Sequence, residues 1–145
     1  MADLKLQINL AVSLHGPTDD IRRQFMPIAN RHPMDELLNA CRIYADITRR
    51  RITFEYALAR GINDAPDHAR ALAQRLKGML CHVNLIPINR KGNEKSHFSP
   101  TPRAGVDAFA AVLAEHKIPT TVRRSLGSDI AAACGQLRAK KLEEV

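Results

Sequence analysis

The chain has 145 residues, about one domain with its own hydrophobic core, and no linker divides it, so we expect a single domain over 1–145. Its 22 Lys and Arg residues exceed its 15 Asp and Glu residues, giving a formal charge of +7. That charge favours a polyanion such as RNA as partner, and a solvated basic surface explains it equally well. No apolar run approaches the roughly 18 residues of a membrane span, which argues against a membrane protein. With no signal peptide and 3 cysteines lacking disulfide or metal spacing, we expect a cytoplasmic protein.

The first part of the chain alternates an apolar strand with two helices. Residues 6–14 (LQINLAVSL) predict a buried strand. A turn at Gly16-Pro17 leads into a short helix over 19–24, which Thr18 can cap. Pro33 begins a longer helix that runs to about Thr48, and its predicted apolar stripe consists of Leu37, Leu38, Cys41, Ile43 and Tyr44.

The same alternation continues to the end of the chain. Strands are predicted over 52–58, 81–88 and 120–123. Helices are predicted from Pro66 to about residue 80, over 104–116 and over 130–142, and a polar loop covers 89–102. The order favours an α/β fold: a parallel sheet of about four strands with alternating helices and right-handed crossovers. Four such units make half of an eight-fold barrel or a small open sheet.

In such sheets, chemistry takes place beyond the carboxyl ends of the strands. Polar and reactive side chains follow the predicted strands there, namely Ser13, His15, Glu55, Tyr56, Asn89, Arg123, Arg124 and Cys134. Cys134 lies early in a predicted helix, near arginines that favour the thiolate, but a cysteine among alanines is more often a packing residue. Ser13 and His15 are consistent with either a turn or a ligand contact, and Asn89 alone would be a turn residue. Glu55 could pair with Arg51, Arg123 or a ligand.

Five segments in this order resemble the radical-SAM adenine methyltransferases of the RlmN/Cfr type. They are AVSLHGPTDDIRRQFMPIANRHPMDELLNACRIY, RRITFEYAL, GINDAPDHARALAQRL, CHVNLIPIN and VRRSLGSDIAAACGQLRA. Because they cover nearly the whole chain, the resemblance is specific. It implies the C-terminal half of a radical-SAM partial (βα) barrel.

The resemblance also implies roles for individual residues. Cys134, in the ACGQL segment, would carry a methyl group to carbon 2 or carbon 8 of an RNA adenine. Ser13, Leu14 and His15 (SLH), together with Asn89 (the second asparagine of NLIPIN), would contact S-adenosylmethionine. The complete enzyme would also hold a 4Fe–4S cluster, whose CxxxCxxC motif is absent from this chain, so we expect no metal ligands here and no activity from the chain alone.

The leading hypothesis is therefore a fragment of an enzyme that methylates carbon 2 of an adenine in 23S rRNA and tRNA, with C8 methylation left open. A free-standing RNA- or nucleotide-binding module without catalysis is the main alternative. A thiol-dependent enzyme using Cys134 with His15 ranks last. The unpaired edge of the first strand predicts self-association of the isolated chain.

Overall fold

A four-stranded parallel sheet organises the part of the chain that the computed structural model describes, residues 8–88 and 98–123. Its strands are adjacent in chain order, β1 (Ala11–Ser13), β2 (Ile52–Leu58), β3 (Cys81–Pro87) and β4 (Thr120–Val122). The helices between them are α1 (Asp19–Phe25), α2 (Met34–Thr48), α3 (Pro66–Leu76) and α4 (Arg103–Glu115), with a short 3₁₀ turn at Pro27–Asn30. The predicted α/β fold with a parallel sheet is confirmed.

Only one face of this sheet is covered by the described helices. Along β2 the buried residues alternate with half-buried ones, and the buried set is Ile52, Phe54, Tyr56 and Leu58. These side chains share one hydrophobic core with apolar residues of α2, α3 and α4; the Tyr56 and Phe109 rings, for example, lie 5.0 Å apart. The half-buried residues point to the opposite side, because side chains alternate along a strand. We call that side the open face.

The predicted element boundaries agree with the structure to within a few residues, except at β1. One residue of the predicted apolar stripe of α2 is also exposed. β1 covers only Ala11–Ser13 of the predicted strand 6–14, of which residues 6 and 7 lie outside the described part. Ile43 is not in the apolar stripe of α2: it is 51% exposed, because it lies 200° around the helix from buried Cys41. The predicted last helix, 130–142, also lies outside the described residues. Among the described helices, none has the length and apolar character needed to cross a membrane.

A buried arginine fixes the chain where it leaves β1. Arg22, on α1, is 2% exposed; its Nε donates to the Leu14 carbonyl at 3.2 Å and its Nη1 donates to the His32 carbonyl at 3.3 Å. Asp19 lies 3.8 Å from the same guanidinium and also accepts the amide of Met34, at 2.7 Å, at the start of α2. Arg22 and Asp19 thus tie β1, α1 and α2 together.

Replacing Arg22 with methionine should destabilise the fold by about 2–4 kcal/mol, because the buried carbonyl of Leu14 and the partly buried carbonyl of His32 lose a charged donor. Arg23→Met is the matched control: Arg23 is half-exposed and pairs with exposed Asp20, so its loss should cost about 0.5 kcal/mol or less. Urea unfolding of the two variants measures the difference. Equal midpoints would show that Arg22 does not hold this junction.

Candidate functional site

A row of four polar residues crosses the open face of the sheet. The strand register places Ser13 beside Glu55, Glu55 beside Asn84 and Asn84 beside Thr121. Residues in register on parallel strands project to the same face, so these four side chains form one line across the sheet. We call Ser13, Glu55, Asn84 and Thr121 the polar row. Hydroxyl, carboxylate and amide groups in one line can bind a ligand that is itself polar along its length.

The Glu55 carboxylate has neither an ion-pair nor a hydrogen-bond partner within the described ranges. Arg51 and Arg123, the partners that the sequence suggested, do not pair with it, although both belong to the described part. Glu55 is half-buried at the centre of the polar row. A partly desolvated carboxylate gains from a cation or a hydroxyl donor, so Glu55 is suited to contact a ligand.

At the end of β1, the imidazole ring of His15 accepts a hydrogen bond that a backbone carbonyl would otherwise accept. The last regular contact of β1 is the Leu14 amide donating to the Glu55 carbonyl at 2.9 Å, after which His15 adopts a left-handed φ of 59°. Its imidazole Nδ1 then accepts a hydrogen bond from the Ala57 amide at 2.9 Å. The ring thus continues the row of hydrogen bonds between β1 and β2 beyond the point where the backbone of β1 turns away. Because Nδ1 is an acceptor, Nε2 carries the proton of the neutral ring and is a donor.

The environment of His15 keeps this ring neutral. Burial, and secondly the positive charge of Arg22, lower the pKa of His15 to about 4. The ring centroid lies 5.7 Å from that of Phe25, which stacks on Phe98 at 4.5 Å. At neutral pH the candidate site therefore contains an uncharged imidazole.

Asn63 locks His15 to β2, a role that the sequence did not reveal. Asn63 is fully buried, and its Nδ2 donates to the carbonyls of His15 (2.9 Å) and Ala57 (2.7 Å). Its Oδ1 accepts the Ala59 amide at 2.8 Å, and the Tyr56 hydroxyl donates to its backbone carbonyl at 2.8 Å. In the sequence Asn63 is one asparagine in a turn, and only the fold brings it beside a residue 48 positions away.

The other predicted site residues differ in their exposure, and two of them lie outside the described part of the chain. Ser13 is exposed on the open face, whereas the Leu14 side chain is fully buried in the core and its amide and carbonyl are both hydrogen-bonded. Leu14 therefore fixes the positions of Ser13 and His15, and a direct ligand contact from Leu14 stays a prediction. Asn89 and Cys134 lie outside the described residues.

The described cysteines do not provide a reactive thiol. Cys41 and Cys81 are both buried, and burial raises the pKa of each, that of Cys81 to about 11. A thiol with a raised pKa is a poor nucleophile and a poor metal ligand at neutral pH. Over residues 8–88 and 98–123 no group of three or more His, Cys, Asp or Glu side chains could hold a metal ion.

Known proteins with similar sequences are RNA methyltransferases, although no family model matches the chain. The dual-specificity RNA methyltransferase RlmN of Clostridioides difficile is 54% identical over 140 residues, which is 97% of this chain and 40% of that protein. RlmN of a Thermoanaerobacter species (strain X514) is 53% identical over 143 residues, which is 99% of this chain and 41% of that protein. The chain thus spans about 40% of the length of these curated relatives.

Two solved structures share the fold of this chain. A radical SAM methyltransferase from Sphaerobacter thermophilus matches with a TM-score of 0.86 and 46% identity, covering 93% of this chain and 40% of that one. A domain of a pyruvate-formate lyase-activating enzyme from Bacteroides vulgatus matches with a TM-score of 0.67, covering 85% of this chain and 73% of that one; at 16% identity it shows the fold alone.

The fold and its parallel sheet are therefore those of part of a radical-SAM methyltransferase, which confirms the predicted resemblance. More particularly, the chain corresponds over nearly its whole length to a part of the RlmN-type RNA methyltransferases.

Acid should destabilise the chain through His15. Below its ordinary pKa of 6.5 the imidazole binds a proton in the unfolded chain, whereas the folded state resists protonation down to about pH 4. Acidification through this window should therefore lower the free energy of unfolding by up to about 3 kcal/mol. His15→Asn, which tolerates the left-handed backbone, should remove the part of this dependence that His15 contributes and leave the part from His82, whose pKa burial also lowers.

Urea unfolding of the parent, of His15→Asn and of a control, His32→Asn, at several pH values in this window measures it. The control removes an exposed histidine and should keep the slope of the parent. An unchanged pH dependence in His15→Asn would contradict the assignment.

Proposed function

We propose that this chain forms one domain of a radical-SAM RNA methyltransferase that acts on carbon 2 of an adenine in 23S rRNA and tRNA. In this proposal the chain contacts S-adenosylmethionine through Ser13, Leu14, His15 and Asn89, carries the methyl group on Cys134 and is inactive alone. The observation that carries the proposal is the 54% identity to an RlmN protein over 97% of the chain. We propose that the complete enzyme modifies RNA in the cytoplasm.

The polar row has the chemistry that S-adenosylmethionine requires. That molecule has a positively charged sulfonium, an ammonium group, a carboxylate and ribose hydroxyls. The carboxylate of Glu55, which has no partner among the described residues, suits the cationic or hydroxyl groups, and the hydroxyl of Ser13 beside it can donate to an anionic or neutral acceptor. When bound, S-adenosylmethionine would supply the methyl group.

His15 is suited to this cofactor because it is neutral. An imidazolium beside the site would repel a sulfonium, and the low pKa of His15 prevents that charge from forming at neutral pH. The protonated Nε2 remains a hydrogen-bond donor, while Nδ1 is held by Ala57. We therefore propose that His15 orients the ligand and donates one hydrogen bond to it.

The described residues do not fit a 4Fe–4S cluster. They contain two cysteines, both buried and both with a raised pKa, and no metal-binding group of three side chains. We derive no step through a cluster, and the proposal requires its ligands to come from outside the described residues.

The geometry of the site gives less support to the alternative functions. A thiol-dependent enzyme would need His15 as the base for Cys134, yet Nδ1 of His15 is occupied by the Ala57 amide and its pKa of about 4 makes it a weak base. Methylation of carbon 8 uses the same motifs and is separated from carbon 2 only by analysis of the product. A binding module without catalysis would leave Cys134 without a role.

The proposal predicts different kinetic effects for Cys134 and Glu55. We would place this chain in the C. difficile relative, in exchange for the segment that it matches, and assay methyl transfer to RNA. Cys134→Ala should abolish the product, because no thiol carries the methyl group. Glu55→Gln should raise the KM for S-adenosylmethionine about tenfold, because one charged contact is lost.

Glu36→Gln is the matched control, since it neutralises an exposed carboxylate on α2 and should leave both constants unchanged. Full turnover by Cys134→Ala would remove the central role of that cysteine. An unchanged KM in Glu55→Gln would remove the polar row from the cofactor site.

The free edge of β1 supports the proposal that the isolated chain self-associates. In the sheet order of the described strands, β1 is terminal and pairs with β2 alone. The Leu10 carbonyl and the Leu14 amide bond to β2, so the backbone groups of Ala11 and Ser13 point outward. An unpaired strand edge readily accepts a second strand.

Ala11→Pro should convert a self-associated chain to the monomer, because proline removes an outward amide and leaves the bonds to β2 intact. Light scattering at high protein concentration measures the masses of the parent and the variant. A strictly monomeric parent would contradict the proposal.

A further inference from the structure

Three turns lie next to one another at the amino ends of the strands, which is the end of the sheet opposite the carboxyl ends. They are residues 49–51 before β2, 77–80 before β3 and 116–119 before β4, and we call them together the base rim. Backbone bonds hold the turns side by side: the Ile52 amide donates to the Leu80 carbonyl at 3.2 Å, and the Val83 amide donates to the Pro119 carbonyl at 2.9 Å. The base rim is therefore one continuous surface built on the amino ends of the strands.

The base rim carries unneutralised positive charge, from Arg49, Arg50, Arg51, Lys77 and Lys117. No carboxylate of the described residues lies within ion-pair distance of any of them, although Asp46 and Glu115 are one turn away along the helices. Four arginines elsewhere on the described surface pair with aspartates, as Arg23–Asp20, Arg70–Asp67, Arg75–Asp35 and Arg103–Asp107, whereas Arg31, Arg42, Arg60 and Arg123 have no carboxylate partner among the described residues. The base rim thus groups five of the nine described Arg and Lys side chains that have no carboxylate partner among the described residues.

Two of these cations, Arg49 and Lys117, lie at left-handed backbone positions. Three helix-to-strand turns contain a left-handed residue: Arg49 with φ 56°, Gly78 with φ 78° and Lys117 with φ 60°. Glycine adopts this conformation without strain, whereas arginine and lysine do not. A cation near the end of a helix gains from the helix dipole, but that explanation does not cover Arg50 and Arg51, which lie beyond the end of α2.

We infer that the base rim binds the phosphate backbone of RNA at the end of the sheet away from the cofactor site. The inference rests on the proposed function, because it takes the RNA substrate as the partner. Closely spaced, unpaired Arg and Lys side chains on one rim match the spacing of charge along a nucleic-acid backbone. The 7-residue strand β2 separates the base rim from the carboxyl end of the sheet by about 23 Å, and Glu55 of the polar row lies about 10 Å along the strand from the base rim, distances that one folded RNA can span.

The test compares two triple variants of this chain that lose the same charge. The rim variant carries Arg49→Asn, Arg51→Gln and Lys117→Asn, where asparagine tolerates the left-handed backbone. The control variant carries Arg23→Gln, Arg70→Gln and Arg103→Gln, which removes three aspartate-paired arginines. Fluorescence anisotropy with a labelled RNA hairpin, over about 50 to 200 mM salt, gives the Kd and its salt dependence.

We expect the rim variant to raise the Kd at least about tenfold and to reduce the slope of log K against log salt by about two. The control variant should stay close to the parent in both. A second variant, Arg50→Gln with Arg51→Gln, leaves the left-handed residues unchanged and should weaken binding in the same direction if the rim variant is poorly folded by circular dichroism.

Equal weakening by the rim and control variants, or no RNA binding by the parent, would overturn the inference. Either result leaves the proposed function standing, because anisotropy requires no methyl transfer. Conversely, full turnover by the Cys134→Ala variant would defeat the proposed function without affecting the anisotropy result.

Discussion

The geometry of the site depends on how the chain leaves β1. The backbone turns away at His15 with a left-handed φ, and the ring of the same residue takes over the Ala57 amide that the strand would have bonded. Arg22 holds the preceding carbonyl, that of Leu14, and Asn63 holds that of His15. Each buried polar group at this corner is therefore satisfied, as burial requires. The result is a rigid strand end with Ser13 on one side and an uncharged donor on the other.

The same folding pattern separates stability from chemistry. The helix-covered face of the sheet carries the apolar core, whose residues include Phe54 and Leu85, and it accounts for most of the buried side chains. The open face carries the polar row, where Glu55 pays the desolvation of its carboxylate without a described partner. Because strand residues alternate between the faces, a single strand such as β2 supplies both sets of side chains. A ligand can thus bind to the open face without disturbing the core.

Much of this fold was predictable from local sequence signals. β-Branched and aromatic residues located β2 over 52–58, and proline located the starts of two helices, because proline is compatible with the first helical turn but not the interior. The polar row was harder to predict, because of its four residues only Ser13 and Glu55 were among the candidates near the predicted strand ends. Strand register brings them into line, and register depends on contacts between segments about 30 residues apart.

The least predictable features were buried polar residues with distant partners. Nothing near Asn63 in the sequence indicates that it bonds the backbone of His15, and nothing near Arg22 indicates that it is buried while Arg23 is exposed. Ile43 shows the reverse error, since an apolar residue in a helix was assigned to the core although its angular position faces solvent. The family resemblance compensates only in part, because it names residues such as Ser13 and His15 without giving their electrostatic state.

The most direct test of the central claim is the mass of the tryptic peptide that contains Cys134. It would be measured in the chimera that places this chain in the C. difficile relative, purified from cells that supply S-adenosylmethionine. The account predicts that a fraction of this peptide is heavier by one methyl group in place of a hydrogen, with fragment ions locating the methyl group on the Cys134 sulfur. A chimera that methylates RNA while fragment ions of this peptide show the methyl group on another residue would contradict the account.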